Sequence, residues 1–229
     1  MQQDFFESQA IEARLLGRDD VMALLGTPQV LRDCDLEEAD LSDLDLMDWT
    51  FERCNLRRTN FASSRLEGAR FLSCRAAFAS WTRCDLGGAI FRLTDCNNAD
   101  FRHSYVANLR FEGCKLTGAN LTDGRGLGWS FEEVLLVGAT LTGQSFRKAK
   151  LLRVDFSQAD LSKCDFRGAT LVGCSLREAR LERALFDGAD LREADLGGVA
   201  VADLRIFRGA TFSMAQAADL LAGCGIKLG

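Results

Sequence analysis

Residues 31–71 read LRDCDLEEADLSDLDLMDWTFERCNLRRTNFASSRLEGARF, with an apolar residue at every fifth position: Leu31, Leu36, Leu41, Leu46, Phe51, Leu56, Phe61, Leu66 and Phe71. Followed from Leu31 to Ile206, this series has 36 positions, of which 33 are Leu, Phe, Val, Ile or Trp; the exceptions are Ala76, Cys96 and Gly126. A second series, two residues earlier in each unit and running from Cys34 to Leu204, is mostly Ala, Cys, Ser or Thr and holds no charge. The chain has 28 Lys and Arg and 33 Asp and Glu, so two long uncharged series mean two inward-facing positions per unit.

A period of five suits neither regular element. Five residues of α-helix overshoot a full turn by about 140°, which smears the apolar series around the helix. On a continuous strand, every fifth residue changes face. A chain that turns after each five residues keeps both series inside, and that is a β-solenoid. Ladders spaced by twenty (Phe51, Phe71, Phe91, Phe111, Phe131, and Cys34, Cys54, Cys74) give four sides per coil and about nine coils. At a strand spacing of about 4.8 Å the rod is roughly 43 Å long.

Cys-Asp-Phe-Arg-Gly at 164–168, Ala-Asp-Leu-Arg-Glu at 189–193 and Ala-Asn-Leu-Thr-Asp at 119–123 resemble the A(D/N)LXX units of pentapeptide repeat proteins. The resemblance covers residues 31 to 206 and implies an all-β fold, a right-handed quadrilateral β-helix with large side chains stacked inside. We divide the chain into an irregular N-terminal cap (1–28), the β-helix (29–211) and a C-terminal segment (212–229). In the cap, Asp4, Arg14 and Asp19 fall where small inward residues belong, although Phe6, Ile11, Leu16 and Val21 keep the spacing. Ser213-Met-Ala-Gln216 is a capping-box pattern and predicts an α-helix over about 213–222, with Met214, Ala217, Ala218 and Leu221 on one face as cap or dimer surface. The tail 225–229 reads as a short extended segment.

Composition narrows the function. The chain has one His, one Tyr and one Pro beside sixteen Phe, and imidazole chemistry would fall to His103 alone. His103 takes an outward position with no nucleophile beside it, and a rod filled by its own side chains offers no pocket, so no enzyme is expected. Seven of the nine Cys occupy small inward positions and read as packed thiols rather than metal ligands or disulfides. Gly124, Gly126 and Gly128 lack the spacing of a phosphate loop, and Trp129 is expected to fill the space that Gly126 leaves in the core, the alternative being a projecting recognition loop over 123–129. No cofactor or metal is implied. A net charge of −5 argues against direct nucleic-acid binding. No stretch is long and apolar enough to span a membrane, and the N-terminus lacks a secretory pattern, so a cytoplasmic location is expected.

The Gln-Ala, Leu-Leu, Gly-Ile ending is similar to the C-termini of the Qnr and mycobacterial MfpA branch. That resemblance implies a non-catalytic DNA mimic that binds a type II topoisomerase, DNA gyrase or topoisomerase IV, and protects it from quinolones or a toxin. It also implies a homodimer joined through the C-terminal helix. The charge map suits this in one coil: Asp33, Asp35, Glu37, Glu38, Asp40, Asp43, Asp45, Asp48 and Glu52 lie within 33–52 with no Lys or Arg among them. Residues 1–100 carry 11 − 18 = −7 and residues 101–229 carry 17 − 15 = +2, with Arg147, Lys148, Lys150 and Arg153 interrupting the acidic character. The competing reading is a structural or regulatory protein-interaction scaffold unrelated to topoisomerases.

Overall fold

Ten short strands form one parallel sheet in strictly sequential order. They are β1 (Ile11–Glu12), β2 (Val30–Arg32), β3 (Thr50–Glu52), β4 (Arg70–Leu72), β5 (Ile90–Arg92), β6 (Arg110–Glu112), β7 (Ser130–Glu132), β8 (Lys150–Leu152), β9 (Thr170–Ser175) and β10 (Asp190–Asp195). The computed structural model describes residues 10–197, 201–223, 225 and 226, without the side chains of 201–203 and 223. From β1 to β9 each strand pairs with the next at a shift of twenty residues, as in Phe51 with Phe71 and Phe71 with Phe91. Single bridges on the other sides keep the same shift, for example Asp40 with Asn60 and Asp85 with Tyr105. The molecule is a β-solenoid of about nine coils with four sides per coil.

Four of the five residues in a side have separate physical tasks. The apolar residue points inward, and Phe51, Phe71, Phe91 and Phe111 are fully buried. The third residue of the following turn takes positive φ, as at Asp43 (59°), Asp48 (58°) and Gly118 (68°). The N–H after it donates to the carbonyl of the apolar residue, Ala39 to Leu36 at 3.1 Å and Thr59 to Leu56 at 3.2 Å, the pattern of a type II turn. Asp or Asn before the apolar residue accepts the N–H two residues on, as Asp155 does from Ser157 at 2.9 Å. The recurrent Asp is therefore first a turn-former. Cys, Ser and Thr at the small inward position donate to the carbonyl of the apolar residue 23 positions earlier: Thr59 to Leu36 and Ser64 to Leu41 at 2.7 Å, and Cys84 to Phe61 at 2.8 Å.

The aromatic core runs as two interlocked ladders and then changes sides. Phe51, Phe71, Phe91, Phe111 and Phe131 stack on one side, and their rings meet those of Phe61, Trp81 and Phe101 edge to face. Past residue 131 the stack continues on another side as Phe146, Phe166 and Phe186, at 4.9 Å per step. Trp129 makes the handover: its indole is nearly parallel to the Phe146 ring (7°, centroids 6.1 Å apart), where a side chain at 126 would otherwise lie. Gly126 itself is exposed, with φ 113° and its α-carbon facing the backbone of Ala107. No loop projects at 123–129, because Arg125 N–H bonds Ser104 and Asn108 N–H bonds Leu127 in the ordinary register.

Both ends differ from the sequence reading. The sheet begins at Ile11, inside the segment assigned to an irregular cap: Ile11 pairs with Leu31, Leu15 with Asp35, and Leu16 and Val21 are buried. A short helix α1 (Arg18–Met22) follows, while Arg14 and Asp19 stay exposed, which removes the conflict of placing charges inward. Asp4 and Phe6 lie outside the described residues. At the far end, the periodic series does not continue to Ile206. Residues Val201–Phe207 form a 3₁₀ helix, and the next pairing is Asp190 with Thr211, a shift of 21. Phe207, not Ile206, is therefore the buried residue, its ring 4.9 Å from Phe186. Helix α2 (Met214–Gly223) closes the rod. Of the tail 225–229, residues 227–229 lie outside the described residues.

Candidate partner-binding surfaces

The acidic coil 33–52 is built on four sides of one turn of the rod, and the next coil answers most of its charge. Asp33 takes both the Nε and Nη2 of Arg53 at 2.8 Å, which holds its carboxyl below the usual range. Glu52 accepts from Arg32 at 2.9 Å and from Arg53, and is lowered by the first of these. Glu37 lies 3.6 Å from Arg57, Glu38 3.4 Å from Arg58, and Asp45 2.8 Å from Arg65. Asp35 accepts from Asn55 Nδ2 at 2.9 Å and from Glu37 N–H at 3.0 Å. Asp40, lowered chiefly by its hydrogen bonding to Ser42, also accepts from Asn60 Nδ2 at 2.9 Å and lies 3.9 Å from Arg18. Asp43 and Asp48, on two successive corners, have no ion-pair partner among the described residues. Of the eight residues singled out as a partner surface, these two and Asp35, whose bonds are to the neutral Asn55 and a backbone N–H, have no ion pair among the described residues.

The arginines were missed as part of this site, yet the signal was present. Asp33/Arg53, Glu38/Arg58 and Asp45/Arg65 are each twenty residues apart, the same interval that reveals the Phe ladder. These pairs are solvent-exposed, so each contributes little to stability. Their main effect is to convert an apparent anionic patch into a mixed one.

Helix α2 sits over the open end of the last coil. Ser213 and Gln216 cap reciprocally, Gln216 N–H to Ser213 Oγ at 3.2 Å and Ser213 N–H to Gln216 Oε1 at 2.7 Å. Gln216 Nε2 then reaches the carbonyls of Leu191 and Ala194 at 2.6 and 2.7 Å, satisfying acceptors that no further coil would cover. These bonds fix the rotation of the helix. Leu220 packs on the core, Ala217, Ala218 and Leu221 are half-buried, and Met214 is 88% exposed. The face predicted from hydrophobic spacing is thus divided, because hydrogen bonding to the coil end, not the apolar stripe, sets its phase.

Surface depressions on the sides of the rod include one of about 500 Å³ lined by His103, Asp123, Gly124, Arg125, Thr142, Gly143 and Gln144, and one of about 290 Å³ lined by Arg92, Leu93, Glu112, Gly113, Glu132 and Glu133. His103 Nδ1 is 3.7 Å from Asp123. The eight cysteines among the described residues are free and buried. Burial pushes Cys84 and Cys164 up to about 12 and Cys114 and Cys174 up to about 11, the state of packed rather than reactive thiols. Among the described residues no group of His, Cys, Asp or Glu is arranged to hold a metal, and no helix is long and apolar enough to cross a membrane.

The sequence matches the pattern of the pentapeptide repeat region over residues 30–101, and that of pentapeptide repeats over 94–124, 136–180 and 164–199. One similar protein is the quinolone resistance pentapeptide repeat protein QnrB96 of Scandinavium goeteborgense, 25% identical over 122 residues, 51% of this chain. The match spans about half (52%) of that relative's length. Among solved structures, full-length QnrB1, a plasmid-mediated fluoroquinolone resistance protein, superposes with a TM-score of 0.69 at 20% identity, over 95% of this chain and 97% of QnrB1. A trypsin-treated QnrB1 variant gives 0.66 at 20% identity, over 87% and 99% of the two chains.

Proposed function

This chain belongs to the pentapeptide repeat family, and from that premise we propose that it is a non-catalytic protein that binds a type II topoisomerase, DNA gyrase or topoisomerase IV, and protects it from quinolones or a gyrase-directed toxin. The observation that carries the reading is the uncompensated acidic edge at Asp43 and Asp48, on a rod whose sequence relative is a quinolone resistance protein. Carboxylates along a narrow rod offer a basic DNA-binding surface the charge it ordinarily receives from phosphates. Dimerisation through the outer side of α2, where Met214, Ala218 and Leu221 are spaced i, i+4 and i+7, would double the rod end to end. A cytoplasmic site of action accords with such a partner.

The test is a supercoiling assay with purified gyrase, with and without a fluoroquinolone. Restored supercoiling under drug is expected, and Asp43→Lys with Asp48→Lys should weaken it about tenfold or more, whereas Asp33→Asn, whose charge Arg53 already answers, should change it little. No effect of the wild-type protein on gyrase or topoisomerase IV would end this reading. Light scattering of Leu221→Arg checks the dimer: a protein that stays dimeric places the contact elsewhere. The pairing of most of the acidic coil by arginines favours the second reading, a protein-interaction scaffold with some other partner.

A further inference from the structure

The acidic coil has a counterpart of opposite sign, and it is less compensated. On the side of the rod that carries Tyr105, Arg125, Ser145 and Asp165, and around the next corner, Arg110, Arg125, Arg147, Lys148 and Lys150 are all exposed. The register places them close together. Arg125 pairs with Tyr105, Arg110 with Ser130, Ser145 with Asp165 and Lys150 with Thr170, so the five cations fall within about three coils, on the order of 10–15 Å of rod. None of the five forms an ion pair among the described residues. On that side Asp165 is held by Arg167 in a two-point contact at 2.8 and 2.7 Å, and Asp123, which lines the same depression as Arg125, lies 3.7 Å from His103. Lys148 extends over Gly168, with its Cγ 3.5 Å from where a β-carbon would stand.

We propose that this cationic edge binds the sugar-phosphate backbone of duplex nucleic acid. Phosphate recognition uses Lys and Arg together with hydroxyl and amide donors, and Asn108, Ser130, Ser145 and Thr170 stand among these cations. A protein partner fits less well, because lysine is depleted in protein interfaces and such interfaces centre on an apolar anchor, whereas the exposed apolar residues of this side, Tyr105 and Leu127 at one end and Leu185 at the other, form no single anchor. Single strands fit less well too, since stacking needs free aromatic faces and Tyr105 leans back over Gly87, its Cε1 3.5 Å from the β-carbon position. The net charge of −5 describes the whole chain, whereas the edge presents its own local field. The inference does not depend on the topoisomerase reading.

The experiment is fluorescence anisotropy of a labelled 20-base-pair DNA duplex with the full chain across a salt series. Four phosphate contacts give a slope of log K against log salt of about −3.6, hence about 150-fold weaker binding at 200 mM than at 50 mM salt. Arg147→Glu with Lys148→Glu and Lys150→Glu should lower affinity at least 100-fold at 50 mM and flatten the slope, with an unchanged melting temperature because all three are exposed. Asp43→Lys with Asp48→Lys, which bears on the topoisomerase reading, should leave duplex binding equal or stronger. Absence of duplex binding at 50 mM salt, or equal binding by the triple variant, overturns the proposal. So does sedimentation in which the cations drive self-association that the triple variant abolishes.

Discussion

The rod departs from its five-residue rule in two places, and they fail differently. At Gly126 and Trp129 the side chains exchange roles while the backbone keeps its count, so Tyr105 still pairs with Arg125 and Phe111 with Phe131. After Leu196 the count itself changes, and Asp190 pairs with Thr211 across 21 residues. A solenoid coil is held by hydrogen bonds to the coils above and below, so a missing ring can be supplied from a neighbouring position without disturbing them. An extra residue cannot be absorbed so, and it rotates every later side chain to a new place.

The sharpest test of the first region is Trp129→Ala. Its indole carries the aromatic stack across the gap at 126, with Phe131 at 5.5 Å and Phe146 at 6.1 Å, so the loss should cost about 3–5 kcal/mol in denaturant unfolding. Adding Gly126→Phe should not rescue it. A β-carbon at 126 would stand 2.7 Å from the Ala107 nitrogen, on a backbone with φ 113°. Rescue by that second substitution would mean that the exchange is merely a swap of equivalent positions, and the contrast between the two regions would fail.

The second region is tested by a pair of substitutions. Phe207→Ala should destabilise by about 3 kcal/mol and Ile206→Ala by only about 1 kcal/mol, because Phe207 is 4% exposed whereas Ile206 is only partly buried. Equal costs, or the reverse order, would return the last coil to the uniform register that the sequence suggests.

The same contrast explains what could be read from the sequence. Inward positions from Leu31 to Leu196 follow from counting, and so does the compensation by Trp129, because both depend only on the interval of five. The slip before Phe207 does not, since a 3₁₀ helix rises about 2.0 Å per residue against about 3.3 Å in a strand and the sequence carries no mark of where that exchange happens. Surface function is harder again. The acid run at 33–52 is conspicuous in one dimension, but its neutralisation by Arg53, Arg58 and Arg65 lies in the second dimension, twenty residues away. The cationic edge is invisible in any one coil and emerges only when three are laid side by side.

The smallest effect sharpens the border between the regular coils and the slipped one. Asp190 sits on that border, pairing with Thr170 on one side and Thr211 on the other, and its carboxylate takes Arg192 Nη2 at 2.6 Å and Nε at 2.9 Å. The side-chain bond to Arg192, with help from the Arg192 N–H, lowers its pKa to about 2. A carboxylate lowered in the folded state favours folding above its unfolded value near 4, and that contribution is lost as pH falls from about 4 through about 2. Arg192→Ala should therefore lower the melting temperature by a degree or so at pH 7, and the difference from wild type should vanish by about pH 2. A difference that persists in acid would assign the contact to packing of the Arg192 stem at the border, not to its charge.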